Sequence, residues 1–389
     1  NDAMRVVHFP GDLDAARVAR NRFAFEELLG IQIGVLASRA RRHHEHKKNI
    51  HTISGPHLAA LRRGIPFALT KTQKRSIDDI LSDMASTRPM VRLLQGDVGC
   101  GKTIVALHAI AAAADGGYQT AIMAPTEILA EQHAITLRDY LAPLGIEIAV
   151  LTGSTADARG VRARIADGMA HVVVGTHALI QGSTQFHRLG LAVIEEQHRF
   201  GVMQRGTLAE KGLEPDILQM TATPIPRTLA ITVYGGMDIS VIDELPPGRT
   251  PVKTRRITPA KVADMYDYLR KQAACGLQTY IVCPLVEESS ARDAKAVTKH
   301  YEELVSGPLN GLRVGLMHGR LASREKDAVM HAFKRGELDA LISTSVIEVG
   351  IDCPNATTMI IEDASQFGLT QLHQLRGRVG RGAAHSSCV

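Results

Sequence analysis

The residues with the clearest chemistry lie in one run, Gly96-x-x-x-x-Gly101-Lys102-Thr103. Glycines leave room for backbone N–H groups to curl around a phosphate, and a helix starting at such a loop adds its dipole to the anion site. Gly96, Asp97, Val98, Gly99, Cys100 and Gly101 form the candidate cradle. Lys102 can reach the β- and γ-phosphates of a nucleotide, and Thr103 can ligate Mg²⁺. A second group is acidic. Glu195-Glu196 ends an apolar run, which fits Mg²⁺ ligation together with activation of a water. A third group is basic. Arg376, Arg378 and Arg381 are interleaved with Gly377 and Gly380. Arginines at this spacing suit contact with a γ-phosphate held by another domain, and the glycines would weaken an ordinary surface helix. Just ahead of the phosphate loop, Phe67 and Gln73 fit an adenine site, one stacking on the base and the other hydrogen-bonding its edge.

Such groups need rigid elements behind them. A strand is expected over 91–94, running into the loop, with a helix over 103–114 leaving it. A glycine-rich turn without that strand and helix would be a bare turn. Further apolar runs predict strands at 119–124, 147–151, 171–174 and 191–194, and one ending at Met220. Pro125 and Thr126, and later Thr176 and His177, follow such strand ends. Small and hydroxyl residues there suit close approach to a phosphate backbone, although each alone is more often just an ordinary loop. The stretch 243–251 is rich in Pro and Gly and marks a domain boundary. After it, strands are expected at 278–283, 313–317, 340–343 and 357–361, with helices near 259–274, 293–306, 322–335 and 369–378. No second phosphate loop occurs there.

Residues 12–48 read as one long helix, with Phe25, Leu29, Ile33 and Leu36 on one face that packs on the following domains. It ends in a basic run, Arg39, Arg41, Arg42, His43, His44, His46, Lys47 and Lys48. The histidines lack an accompanying Cys or carboxylate set, so the run reads as a solvated helix end rather than a metal site.

The 389 residues are enough for two or three domains, and 45% hydrophobic content with only 4% aromatics favours an α/β core of Val, Ile, Leu and Ala. A net charge of +5 permits a polyanionic partner without requiring one. The five cysteines form no C-x-x-C pair, which points to a reducing cytosol and away from a zinc ribbon. No apolar run reaches membrane-spanning length. The chain opens on Asn1 and stops at Ser387-Cys388-Val389, so a fragment of a longer protein is expected.

The order of these blocks resembles that of the superfamily 2 helicases, over roughly residues 57–385. The resemblance is carried by the phosphate loop and by Met123-Ala-Pro-Thr-Glu, Glu196-Gln-His-Arg-Phe-Gly-Val, Met220-Thr-Ala-Thr-Pro-Ile-Pro-Arg-Thr-Leu-Ala, Val241-Ile-Asp-Glu-Leu-Pro-Pro-Gly-Arg-Thr-Pro and His373-Gln-Leu-Arg-Gly-Arg-Val-Gly-Arg. Within the superfamily it is most similar to the bacterial branch-migrating DNA helicases. This implies an α/β fold of two RecA-like domains with parallel sheets flanked by helices, preceded by a long linker helix. The expected boundaries are 1–56 for the linker from a missing wedge domain, 57–247 for the ATP-binding domain, and 248–389 for a truncated second domain.

The resemblance also implies roles. Gly96 to Thr103 bind ATP and Mg²⁺, with Glu195 as the second metal residue and Phe67 and Gln73 as the adenine motif. Glu196 positions or activates the attacking water. Gln374, Arg378 and Arg381 meet the γ-phosphate, and Gly350 and Asp352 line the cleft. Pro125, Thr126, Thr176, His177, His318 and Gly319 track DNA. The partner implied is branched double-stranded DNA, forks and Holliday junctions. The activity implied is ATP-driven unwinding with 3′–5′ polarity. A monomer is implied, bacterial, cytoplasmic and nucleoid-associated, with single-strand binding protein as a candidate partner.

Two other functions stay open. Transcription-repair coupling translocases share the Pro-Ile-Pro-Arg-Thr-Leu block but carry Glu-Glu-His where this chain has Glu196-Gln197-His198. An ATP-gated nucleic-acid clamp with little turnover is kept open by Glu195, which stands where the family has Asp. The longer side chain is expected either to crowd the metal or to fold back, so that Glu195→Asp raises turnover.

Overall fold

The apolar runs become parallel strands buried on both faces, as strands covered by helices on both sides should be. A computed structural model of the chain describes residues 2–44, 46–47, 49–176, 179, 184–195, 215–222, 237–246, 251–284, 291–344, 353, 355–380 and 385–389. The first sheet comprises β1 (Val91–Gly96), β2 (Gln119–Met123), β3 (Ile148–Leu151), β4 (Val172–Gly175), β5 (Leu189–Glu195), β6 (Asp216–Thr221) and β7 (Asp238–Ile242). Its order is β3-β4-β2-β5-β6-β1-β7. The second holds β8 (Lys253–Thr254), β9 (Gln278–Val282), β10 (Val314–Met317), β11 (Ala340–Ser343), β12 (Ala356–Ile361) and β13 (Ser387–Cys388), ordered β10-β11-β9-β12-β13-β8. All ladders are parallel. Strands β7 and β8 are not among those expected: β7 is short and partly exposed, and β8 is only Lys253-Thr254, both exposed.

The helices are α1 (Asp2–His8), α2 (Leu13–His44), α3 (Pro56–Gly64), α4 (Lys71–Ala85), α5 (Lys102–Asp115), α6 (Glu127–Leu141) and α7 (Ala158–Ala166). Those of the second lobe are α8 (Val262–Ala274), α9 (Ala291–Ser306), α10 (Ser323–Lys334) and α11 (Leu369–Arg376). Helix α5 is apolar all round and buried from Ile104 to Ala113, which makes it a fixed post behind the phosphate loop. No helix among the described residues is long and apolar enough to cross a membrane.

The long helix expected over 12–48 is present as α2, and a separate short helix, α1, precedes it across Pro10, which cannot continue a helix; the N-terminal region departs from expectation in what its side chains contact. Asp12 starts α2 by accepting from the Ala15 N–H at 2.6 Å. Phe25, Leu29, Ile33 and Leu36 are each at least 45% exposed, so that face does not pack on the lobes. Lys47, read as part of a solvated basic end, is buried. Its Nζ donates to Asp216 Oδ2 at 2.6 Å and to the carbonyls of Asp83 and Met84 at 3.2 and 3.0 Å. Asp216 Oδ1 accepts from the Met90 N–H at 2.7 Å, and His51 Nε2 lies 3.2 Å from Oδ2. A fully partnered ammonium can be buried where a bare one cannot. Burial pushes the Lys47 pKa down, against the pull of Asp216.

Candidate nucleotide site between the lobes

Strand β1 delivers the chain into the phosphate loop, and the loop is built by two left-handed residues, Gly99 at φ 75° and Gly101 at φ 89°. A side chain at either would be strained. A Cβ on Gly101 would also run into Gln73 Nε2, and one on Gly96 into Cys100 Sγ. Gln73 braces the loop from α4: its Nε2 donates to the Cys100 carbonyl at 2.8 Å. Its Oε1 accepts from the Thr70 N–H at 2.9 Å, while Thr70 Oγ1 accepts from the Gln73 N–H at 3.2 Å, a closed capping box. The residue read as an adenine contact is thus buried in a brace, while Phe67 is 45% exposed. Glu244, just after β7, ties the same helix start down by accepting from the Thr72 N–H at 3.2 Å.

Gly101 caps α5 without a side chain, so the first-turn N–H groups remain at the loop mouth for an anion. Lys102 lies over the loop, its Nζ donating to the carbonyls of Gly96 and Asp97 at 2.8 and 3.0 Å. Thr103 sits half-buried in the first turn. An ammonium, a hydroxyl, a helix N-terminus and two left-handed glycines are the donor set that a nucleotide triphosphate with Mg²⁺ requires, so the residues fit both.

Glu195 ends β5, which lies next to β2. Its Oε2 makes a short hydrogen bond with Nε2 of His133, on α6. Burial alone would lower the His133 pKa and raise that of Glu195. The contact between them outweighs both, holding His133 above and Glu195 below their ordinary values, and the charges of Lys102 and Arg378 add to the latter. Arg378 comes from the second lobe, so the carboxylate feels cations from both sides of the cleft.

The lobes touch at the phosphate loop itself. His373 Nε2, on α11, is 2.8 Å from Asp97 Oδ1, which also accepts from the Val98 N–H at 2.6 Å. Arg376 Nη2 lies 3.1 Å from His373 Nδ1. With the arginine as donor, Nδ1 is the acceptor and Nε2–H donates to Asp97. A Cβ on Gly377 would come 2.7 Å from Val98 Cβ, so only glycine allows this approach. Gln374 is buried and Arg378 half-buried beside this contact.

The remaining expected residues lie at strand ends. Thr126 caps α6 after β2, accepting from the Leu129 N–H at 3.4 Å, with Pro125 before it. Thr176 follows β4, and His318 and Gly319 follow β10, where the Gly319 carbonyl accepts from Lys326 Nζ at 2.8 Å. Glu196, His177, Gly350, Asp352 and Arg381 lie outside the described residues. Sequence reasoning missed His133, His373 and Glu244 as site residues. His373 stood inside the recognised basic cluster, whereas nothing local marks His133 or Glu244, which matter only through the fold.

Two parallel sheets of this order, with a phosphate loop facing an arginine-bearing helix, make the two-lobed RecA-like fold of the helicases. The DEAD/DEAH box helicase model matches residues 70–231, and the helicase conserved C-terminal domain matches 260–383. Across all 389 residues the chain is 48% identical to the ATP-dependent DNA helicase RecG of Synechocystis and 48% identical to that of Streptococcus pneumoniae, covering 47% and 58% of them. A solved structure of RecG bound to a three-way DNA junction superposes over the whole chain with a TM-score of 0.81 at 41% identity, and the chain covers 51% of it. The chain belongs to the RecG family. It spans about half the length of the curated relatives it matches.

Proposed function

We propose that this chain is the motor of an ATP-dependent helicase that works on branched double-stranded DNA, forks and Holliday junctions. The observation that carries the reading is the cross-lobe contact at the phosphate loop: Asp97 with His373 and Val98 with Gly377, beside a carboxylate flanked by Lys102 and Arg378. A nucleotide held there is gripped by both lobes, so its hydrolysis can change their separation. The relatives' names, and the junction in the matched complex, support the choice of DNA.

In this reading Lys102 and the loop N–H groups hold the phosphates, Phe67 flanks the base, and Gln73 serves the nucleotide by bracing the loop from α4. Thr103 and Glu195 hold Mg²⁺, which neutralises charge on the phosphates when bound. Glu196 positions water. Gln374, Arg378 and Arg381 stabilise charge developing on the γ-phosphate, while Gly350 and Asp352 line the cleft. Pro125, Thr126, Thr176, His177, His318 and Gly319 follow the DNA backbone.

The test is steady-state ATP hydrolysis with and without a three-way junction. Hydrolysis stimulated by the junction, more than by linear duplex of equal length, is expected. Nucleotide binding with no turnover on any DNA would replace the motor reading with a clamp.

A further inference from the structure

We propose that His133 is a positioning residue for Glu195, fixing where this longer carboxylate sits and so setting how tightly the phosphate loop takes nucleotide together with Mg²⁺. The proposal rests on the nucleotide reading above. Strands β2 and β5 run side by side, with Met123 opposite Ile194. The chain therefore leaves β2 for α6 at the same edge where Glu195 leaves β5. Helix α6 then brings the His133 ring back over that edge, where its Nε2 meets Glu195 Oε2. Both side chains are largely buried, at 14% and 20% exposure.

An aspartate on the same backbone would end one C–C bond, about 1.5 Å, short of this contact. The contact as it stands therefore needs the extra methylene of Glu195. Of the two outcomes the sequence leaves open, crowding the metal or folding back, the structure shows a carboxylate turned to a partner. A free glutamate side chain loses rotamer freedom when it is fixed on a metal. Here His133 fixes it in advance and occupies Oε2, so Oε1 is the oxygen still available to a cation.

The test titrates Mg²⁺ into the native chain with a fluorescent ADP analogue and reads the Mg²⁺ concentration at half-maximal binding. His133→Phe keeps a ring and removes the donor; it should raise that concentration roughly tenfold, the scale of one lost charge-assisted hydrogen bond. His133→Gln, which restores a donor, should recover most of the loss. In the Glu195→Asp background, where the contact is already out of reach, His133→Phe should shift it less than about twofold. Melting temperatures measured alongside identify a variant that fails to fold, and His133→Gln then carries the comparison. Equal shifts in both backgrounds, or no shift with Glu195 present, would overturn the proposal alone. Failure of the native chain to bind nucleotide would overturn the nucleotide reading as well.

Discussion

At the scale of single residues, the phosphate loop shows why a motif needs its surroundings. Among the described residues, the hydrogen bonds of the Lys102 ammonium go to the backbone carbonyls of Gly96 and Asp97. Lys102→Ala should therefore abolish ATP turnover while leaving the melting temperature unchanged, measured by coupled ATPase assay and thermal denaturation. Gln73 is different, because its amide braces the Cys100 carbonyl and closes a capping box. Gln73→Ala should destabilise the chain by about 1–2 kcal/mol in urea unfolding, a loss no exposed amide would produce. A stability equal to native would mean that the brace is idle.

At the scale of elements, two contacts determine how parts of the chain sit. Lys47 pins the segment after α2 to the first sheet through Asp216. Removing it leaves a buried carboxylate with the Met90 N–H and His51 but without its lysine, so Lys47→Ala should cost about 3 kcal/mol by denaturant titration. In the second lobe, Asp339 accepts from the Arg313 backbone N–H at 2.9 Å and from its guanidinium at 2.6 Å, joining the starts of β10 and β11. Burial raises the Asp339 pKa, but the bonds from Arg313 outweigh it and hold the carboxyl low. A carboxylate with a lowered folded pKa contributes stability above its unfolded value near 3.9, and loses it as pH falls through the folded value. Asp339→Asn should thus lower the unfolding free energy at neutral pH by up to about 1 kcal/mol in denaturant titration, and the gap should close on acidification below about pH 4.

Much of this scale was readable from the sequence. Buried parallel strands such as β2 and β5 are continuous apolar runs, and the phosphate loop punctuates its strand and helix with glycine. What could not be read depended on distance in the chain. The salt link of Lys47 to Asp216 spans 169 positions, and that of His133 to Glu195 spans 62. A lysine in a basic run looks solvated until a buried carboxylate is placed opposite it. The apolar spacing of Phe25, Leu29, Ile33 and Leu36 correctly marks one helix face, but spacing does not say what covers it.

At the scale of the whole molecule, the expected DNA residues Thr126, Thr176, His318 and Gly319 lie on loops that follow the C-terminal ends of the parallel strands β2, β4 and β10. Such loops offer hydroxyl, backbone and basic groups rather than a helix for the major groove. Binding should therefore be nearly blind to sequence and should weaken steeply with salt, as titrations of unrelated duplexes at two ionic strengths would show. A strong sequence preference with a flat salt response would contradict the phosphate-tracking view.

The claim on which the rest depends is that the nucleotide site is shared between the lobes. The most direct test is single-turnover ATP hydrolysis by Arg378→Ala, with nucleotide affinity measured on the same protein. A cation supplied across the cleft to the γ-phosphate contributes on the order of 10³-fold or more to the rate, so turnover should fall by about that factor while ATP affinity changes little. Turnover near the native rate would show that the second lobe takes no part in the chemistry.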